Sequence, residues 1–128
     1  MQNPGSKSAL GLDANVAGLL AYLPICFLGL IMSIIIIVTD KTNKLARFHA
    51  FQSVLLHVIG IVLYFVIFVL SFAAAAAQST ALSLLLTLFW IVFLVGMLGA
   101  IIFCMVKAFQ GAQFKLPIIG NMADNWSN

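Results

Sequence analysis

Two histidines eight residues apart are the side chains of this sequence best able to do chemistry. His49 and His57 lie in a long apolar segment, where either could bind a haem or chlorophyll, or transfer a proton. Two histidines on a helix share one metal ion when four residues separate them, so this pair does not predict a metal site. Hydrogen bonding to neighbouring helices is the alternative role. His57 is the stronger cofactor candidate because it lies about 12 Å further along the helix than His49, away from Arg47.

The other reactive residue types form no catalytic set in the sequence. Cys26 and Cys104 are far apart and show no zinc-type spacing. The three aspartates all lie outside the apolar segments, and no Ser/His/Asp combination or phosphate-binding glycine pattern occurs. We therefore predict a protein that is not an enzyme.

Composition places these residues in a membrane protein. The chain has 128 residues, of which 64% are hydrophobic and 7% charged, whereas a soluble domain carries about 25% charged residues. The uncharged stretch 14–39 has room for one span, and the stretch 48–106 has room for two spans joined near residues 73–80. We predict an all-α integral membrane fold with three transmembrane helices, at about 14–38, 49–73 and 81–106.

The first predicted span contains Pro24, which removes a backbone donor and favours a kink. We expect one kinked crossing, since membrane helices tolerate proline. A competing interpretation splits this span into helices at 12–23 and 25–39 that form a shallow re-entrant hairpin. The predicted organisation is a mobile leader at 1–13, a transmembrane domain at 14–106 and an interfacial tail at 107–128.

The distribution of basic residues predicts the orientation. Cytoplasmic loops carry an excess of Lys and Arg, and most of the basic residues fall in the first loop and the tail. Three spans would place that loop and the C-terminus in the cytoplasm of a bacterial inner membrane, with the N-terminus outside; the hairpin interpretation would place the N-terminus inside. The predicted basic rim, which could bind lipid headgroups or an acidic loop of a partner, consists of Lys41, Lys44, Arg47, Lys107 and Lys115.

Small and polar residues within the spans predict helix packing. In the second span they fall on one narrow face at about 100° per residue, and this face should turn away from lipid because an unpaired polar group is costly there. Small residues four apart allow close approach of two helices or of a partner. The predicted packing residues are Gly29, Ser33, Ser53, Gly60, Tyr64, Gly96, Ala100 and Cys104.

Two motifs resemble a known family. The segments NKLARFHAFQS (43–53) and KAFQGAQFKLPIIGNMAD (107–124) resemble those of small bacterial membrane proteins without an assigned function, related to the Tic-twenty-like subunit of the chloroplast inner-envelope import machinery. The resemblance covers about residues 14–124 and implies a helical membrane domain. A role in protein import is implied only by the chloroplast relatives.

Three functions are compatible with these observations. The favoured one is an accessory subunit that stabilises a larger membrane complex. The alternatives are an oligomeric transport or translocation component, and a haem- or chlorophyll-binding subunit that uses His57 or His49. Expected partners are membrane lipids and either a larger membrane complex or further copies of the chain; nothing in the sequence suggests nucleic-acid binding.

Overall fold

The computed structural model describes residues 6–25 and 27–128, and its regular elements over these residues are helices. Residues 1–5 of the predicted leader and Cys26 lie outside the described residues, and the mobility of the leader stays a prediction. The helices are α1 (Ala14–Leu20), α2 (Leu28–Thr39), α3 (Lys44–Ala76), α4 (Thr80–Phe109) and α5 (Ile119–Ser127).

Local capping groups set the ends of the two long helices. Asn43 accepts a hydrogen bond from the Ala46 N–H at 3.2 Å and begins α3. Ser79 accepts one from the Leu82 N–H at 3.4 Å and begins α4. Gly111, with φ of 70°, follows the end of α4, where glycine relieves the steric cost of a left-handed residue. α3 and α4 extend at both ends beyond the spans predicted at about 49–73 and 81–106.

The predicted kinked first helix is wrong, because the chain turns back on itself between α1 and α2. α1 ends at Leu20 and α2 begins only at Leu28. The Gly29 N–H donates to the Leu23 carbonyl at 3.2 Å. A Cβ at Gly29 would lie 2.6 Å from the same carbonyl oxygen, so only glycine lets the two arms approach this closely.

The two arms run antiparallel, which matches the competing hairpin interpretation. The hydroxyl of Ser33 donates to the Ala21 carbonyl at 3.1 Å near the tip of the hairpin. At its open end the Ala9 N–H donates to Asp40 at 3.0 Å. Phe27, at the tip, has a φ of 63° and is 62% exposed.

The N-terminal segment lies at the same end of the molecule as the C-terminal tail. The side chain of Asn43 donates to the Ser6 carbonyl at 3.2 Å, and that of Asn15 donates to the Phe109 carbonyl at 3.0 Å. Residues 6–13 and the tail therefore lie at one end of the molecule, whereas the side of the membrane on which they lie stays a prediction. All nine charged residues of the chain consequently lie at this one end, which we call the polar end.

From the polar end, α3 and α4 extend together as a long apolar hairpin. Both helices are long and apolar enough to cross a membrane, whereas α2 is shorter. With 33 and 30 residues, they are about 50 and 45 Å long, compared with a hydrocarbon core of about 30 Å. Beyond residue 60 most of their large apolar side chains are exposed.

The buried core sits at the polar end, where all five helices meet. One cluster of small residues joins the α1–α2 hairpin to α3: Ala17, Ala21, Ile36, Ala46 and Ala50. A second cluster joins the hairpin, α3, α4 and α5: Tyr22, Leu56, Ile101, Cys104, Ala108 and Ile119. The core therefore depends on the first and the last helices of the chain together.

Candidate functional site

Three buried polar side chains form a hydrogen-bonded group within this core. The side-chain nitrogen of Gln52 donates to the Tyr22 hydroxyl at 3.0 Å, and that hydroxyl lies 3.3 Å from His49 Nδ1. All three side chains are at most 1% exposed. Such a group is stable in an apolar core only when its donors and acceptors are matched.

The segment between α4 and α5 completes this group. His49 Nε2 lies 3.1 Å from the Ala112 carbonyl, so it must carry the proton and donate. Nδ1 is then the acceptor for the Tyr22 hydroxyl. Gln52 donates to the Phe114 carbonyl at 3.1 Å and accepts from the Leu116 N–H at 3.1 Å. Two side chains of α3 thus fix the extended segment 112–116, which we call the strap.

The spacing along α3 explains this arrangement. His49, Gln52 and Ser53 lie three and four residues apart, on one side of the helix. The hydroxyl of Ser53 donates to the Ala21 carbonyl at 2.5 Å, at the point where α1 ends. Gly18 leaves room for the imidazole, because a Cβ there would lie 3.0 Å from His49 Cδ2. One side of α3 therefore binds both the hairpin and the strap.

These bonds bear on the predicted role of His49 as a cofactor ligand. Both of its ring nitrogens are engaged, with Tyr22 and with the Ala112 carbonyl. Binding a haem or chlorophyll at either nitrogen would break one of these bonds within the core. The geometry supports the hydrogen-bonding alternative for His49.

His57 lies outside this group, beside a groove. Its Nδ1 is 2.8 Å from the Ser53 carbonyl, so the ring is bonded to its own helix. Its role as a ligand for haem or chlorophyll stays a prediction. The groove beside it has a volume of about 430 Å³ and is lined by Phe27, His57, Gly60, Ile61, Tyr64, Phe93 and Met97.

The predicted packing residues divide into two groups. Gly29, Ser33, Ser53, Gly60 and Cys104 are buried in contacts within the chain. At Gly60 a Cβ would lie 2.7 Å from Met97 Cε, so α3 and α4 approach closely there.

The other group faces outwards. Tyr64 is 51% exposed, with its ring edge-on to Trp90 at 5.1 Å between centroids. Ala100 is half-buried. Gly96 is exposed, and a Cβ there or at Gly99 would meet no atom of the described residues within 4 Å. The predicted small-residue face of α4 is thus covered by the chain at Cys104 and uncovered at Gly96.

The predicted basic rim forms contacts within the polar end. Arg47 donates to the Asp40 carbonyl at 2.8 Å and to the Ser127 carbonyl at 3.4 Å, linking α2 to the end of α5. Lys107 lies over the Phe103 ring, and Lys41 donates to the Ile37 carbonyl. The structure does not test lipid binding by these residues or by Lys44.

Lys115 is paired with the only carboxylate of α5. Its ammonium nitrogen lies 2.6 Å from an Asp124 oxygen, and Gln113 donates to the other oxygen at 2.7 Å. The hydrogen bond from Lys115 lowers the pKa of Asp124 below its ordinary value. This contact joins the strap to α5.

Sequence reasoning missed Tyr22 and Asp40. Tyr22 carries a phenol within an apolar run, two residues before Pro24, and that isolated polar group was the available signal. Asp40 is fully buried and accepts from the Ala9, Thr42 and Asn43 N–H groups. Its position three residues before the Asn43 cap is typical of a side chain that bonds to nearby backbone.

Comparison with known proteins identifies the group to which this arrangement is related. A family described as the magnetosome magnetite crystal formation protein family matches residues 11–123. The chain is 34% identical over 125 residues to a UPF0132 membrane protein of Methanocaldococcus jannaschii, with 94% of each chain covered. It is 29% identical over 119 residues to a UPF0132 membrane protein of Archaeoglobus fulgidus, covering 86% of this chain and 91% of the relative. No solved structure matches the chain.

These matches confirm the expectation of a family of small membrane proteins. They give no support to the expected relation to the chloroplast import subunit. The two relatives are archaeal, and a bacterial inner membrane stays a prediction. Each relative is named as a membrane protein, and neither name gives an activity.

Proposed function

The chain belongs to the magnetosome magnetite crystal formation protein family, and we propose that it is a non-catalytic membrane subunit that stabilises a larger membrane assembly. The observation that carries this proposal is the contrast between the two ends of the molecule. At the polar end, the groups able to do chemistry are bonded to one another and to the strap. Along α3 and α4, a long apolar surface extends beyond what the chain covers.

The proposed orientation places the polar end in the cytoplasm. All six Lys and Arg residues lie at this end, and the turn at 77–79 between α3 and α4 is uncharged. This asymmetry favours a cytoplasmic polar end. We propose that α3 and α4 cross the membrane and that α1 and α2 form a re-entrant hairpin, with both termini in the cytoplasm.

The depth of the hairpin supports this proposal. Phe27 at its tip shares a groove with Gly60 and Ile61 of α3, about 20 Å along the helix from Arg47. The outer side of α2 exposes Ile31, Ile34, Ile35 and Val38, as a lipid-facing helix does. Within the turn, the Ala21 carbonyl accepts from Ser33 and Ser53, the Leu23 carbonyl from Gly29, and the Ile25 carbonyl from Leu28, and non-helical backbone at membrane depth needs partners of this kind.

The family description concerns magnetite crystal formation, and iron takes oxygen ligands of the kind that aspartates supply. Asp40 accepts three backbone hydrogen bonds, and Asp124 is bonded to Lys115 and Gln113. Because these two carboxylates are committed to contacts within the chain and the third, the half-exposed Asp13, pairs with Lys7 at 3.7 Å, we propose a role in assembly and not in direct contact with mineral.

The same contacts bear on the choice between the predicted functions. The polar face of α3 binds the hairpin and the strap, so it does not line a path for translocation within one copy. His49 is likewise engaged at both ring nitrogens. These observations favour the accessory role over the transport and cofactor alternatives.

The test is purification from native membranes in mild detergent at native expression, followed by a native gel and mass spectrometry. We expect a stoichiometric larger complex. The variants Gly96→Leu and Gly99→Leu should reduce its yield, because a Cβ at either position meets no described atom of the chain itself, so the added side chain would disturb a partner instead. Ala81→Leu, at an exposed position near the start of the same helix, is the matched control. A band that contains only this chain would contradict the accessory role.

A further inference from the structure

α5 presents three different surfaces around its axis. At 100° per residue, Ile119, Gly120, Ala123 and Ser127 fall on one side and are buried, and α5 contacts α3. Asn121, Asp124 and Asn125 form a polar sector. The third sector is apolar and exposed, and it consists of Ile118, Met122 and Trp126, at 79%, 39% and 48% exposure. We call these three residues the outer stripe.

The first residue of the stripe is held in an unusual conformation. Ile118 has φ of 68° and ψ of −65°, and the Ile119 N–H donates to the Pro117 carbonyl at 2.8 Å across it. This is a γ-turn with positive φ, which is rare and strained, above all for a β-branched residue. The turn directs the Ile118 side chain outwards. Among the described residues, this is the most exposed of the large apolar side chains. A strained backbone that exposes an apolar side chain needs a compensating contact.

The stripe lies at the level where the charged part of the chain ends. The Trp126 ring packs edge-on against Phe51 with centroids 5.9 Å apart, and the Arg47 guanidinium lies 5.4 Å from the Phe51 centroid. Arg47 is the last charged residue before Lys107. It also bonds to the carbonyls of Ile37 and Asp40 at the end of α2. Arg47 therefore links the end of α2 to the end of α5, and the Trp126 end of the stripe lies at the boundary of the uncharged spans.

We propose that α5 is an interfacial helix, with its outer stripe inserted between the headgroups and the acyl chains of the membrane that α3 and α4 cross. The polar sector then faces water, and the buried side holds α5 on α3. Tryptophan is enriched at this depth, and a helix with adjacent apolar and polar sectors lies in the plane of the interface. A lipid surface is the favoured occupant because Trp126 packs on Phe51 beside Arg47, the last charged residue before the long uncharged stretch. This inference is independent of the proposed accessory role.

The test follows the fluorescence of Trp126 in the full chain. The sequence has two tryptophans, so Trp90→Phe leaves Trp126 as the only one. The protein is reconstituted into phosphatidylcholine–phosphatidylglycerol vesicles. We expect stronger quenching by bromine atoms near the headgroup end of the acyl chains than by bromine atoms near the chain ends, and weak quenching by iodide in the water.

Two pairs of variants make the result specific. Met122→Asp should abolish quenching by brominated lipid and increase quenching by iodide, whereas Asn125→Asp, with the same charge on the polar sector, should change neither. Ile118→Gly adopts positive φ without strain and loses only the side chain, so α5 should stay helical while lipid quenching falls. Ile118→Ala keeps the strain and is its matched control.

Two results would overturn the proposal. The first is strong iodide quenching of Trp126 with no effect of brominated lipid in vesicles. The second is iodide quenching of Trp126 that is strong in vesicles but weak in native membranes. This result would identify a protein as the occupant of the stripe. Neither result depends on the size of the native complex, so this test and that of the accessory role can fail separately.

Discussion

The side-chain amide of Gln52 pairs with the backbone of Leu116 across 64 residues of sequence, with Oε1 accepting from the N–H at 3.1 Å. The same amide donates to the Phe114 carbonyl, so one side chain replaces the partner strand that this extended segment would otherwise need. The contact explains how a glutamine at this position of α3 satisfies two backbone groups of the strap.

Replacing Gln52 by leucine should destabilise the protein and release the strap. The change leaves the part-buried Phe114 carbonyl and Leu116 N–H without a partner, at a cost of about 1–3 kcal/mol for each unsatisfied group, and removes one of the two bonds of the Tyr22 hydroxyl. Thermal unfolding in detergent, followed by circular dichroism, measures the loss. Gln110→Leu, at an exposed position after α4, should change stability by no more than about 0.5 kcal/mol. Equal effects of the two variants would contradict the role of the strap.

Tyr22 and His49 should be energetically coupled. Their atoms lie 3.3 Å apart in the core, and contacting residues in one network show coupling energies of about 0.5–3 kcal/mol. The measurement is a double-mutant cycle of Tyr22→Phe and His49→Gln, using the free energy of unfolding. Tyr64→Phe, in the distal part of α3, supplies the control cycle with His49→Gln and should be additive. If the effects of Tyr22→Phe and His49→Gln on the free energy of unfolding were additive, the hydrogen bond between the two residues would not contribute to stability.

Gly29→Ala distinguishes the hairpin from a continuous first helix. A Cβ at this position lies 2.6 Å from the Leu23 oxygen, so alanine should destabilise the hairpin. In a continuous helix the same change would stabilise by about 1 kcal/mol, because alanine is the better helix former. Gly96→Ala, which has open space around it, is the control and should not destabilise. Unfolding in detergent gives the sign of both effects.

The two ends of the chain should be accessible from the same side of the membrane. Single cysteines at Lys7, Gln78 and Asn128, in a background with Cys26→Ala and Cys104→Ala, can be labelled with a membrane-impermeant maleimide. In right-side-out and inside-out vesicles the cysteines at Lys7 and Asn128 should react together, and the one at Gln78 should react from the opposite side. Labelling of the cysteines at Lys7 and Asn128 from opposite sides of the membrane would instead support the topology with three crossings.

The contact between Lys115 and Asp124 should make the docking of α5 sensitive to acid. The pKa of Asp124 is lowered in the folded state, so its stabilising contribution is present above the ordinary value of 3.8 and is lost as the pH falls through the lowered value. Trp126 fluorescence in the Trp90→Phe background, measured from neutral to acidic pH, reports the release. Asp124→Asn should weaken docking at neutral pH and remove this transition. An unchanged acid transition in Asp124→Asn would assign it to another group.

Much of the fold could be predicted from local signals. Asn43, Ser79 and Gly111 act on backbone groups within four residues, so their chemistry is visible in the sequence. The charge-free stretch also indicated the length of α3 and α4. These features require no knowledge of distant contacts.

The α1–α2 hairpin and the buried site depend on contacts that local signals do not contain. Pro24 is compatible with a kink or a turn, and the close approach at Gly29 decides between them. The partners of His49 and Gln52 lie 27 to 64 residues away. Apolar periodicity gives little help in a membrane, because lipid and core both accept the same side chains.

The position of the strap and of α5 also has a consequence for biosynthesis. Tyr22 and Asn15 leave the ribosome before Gln52, Phe109 and the strap, which form part of their surroundings. Arg47 similarly meets Ser127, which is synthesised 80 residues later. The hairpin can pack on α3 first, but its contacts with α4 and the closing of the core by the strap and α5 have to wait until those segments are synthesised. A stop codon a few residues upstream of α5 would leave α3 and α4 intact and still prevent the polar end from closing.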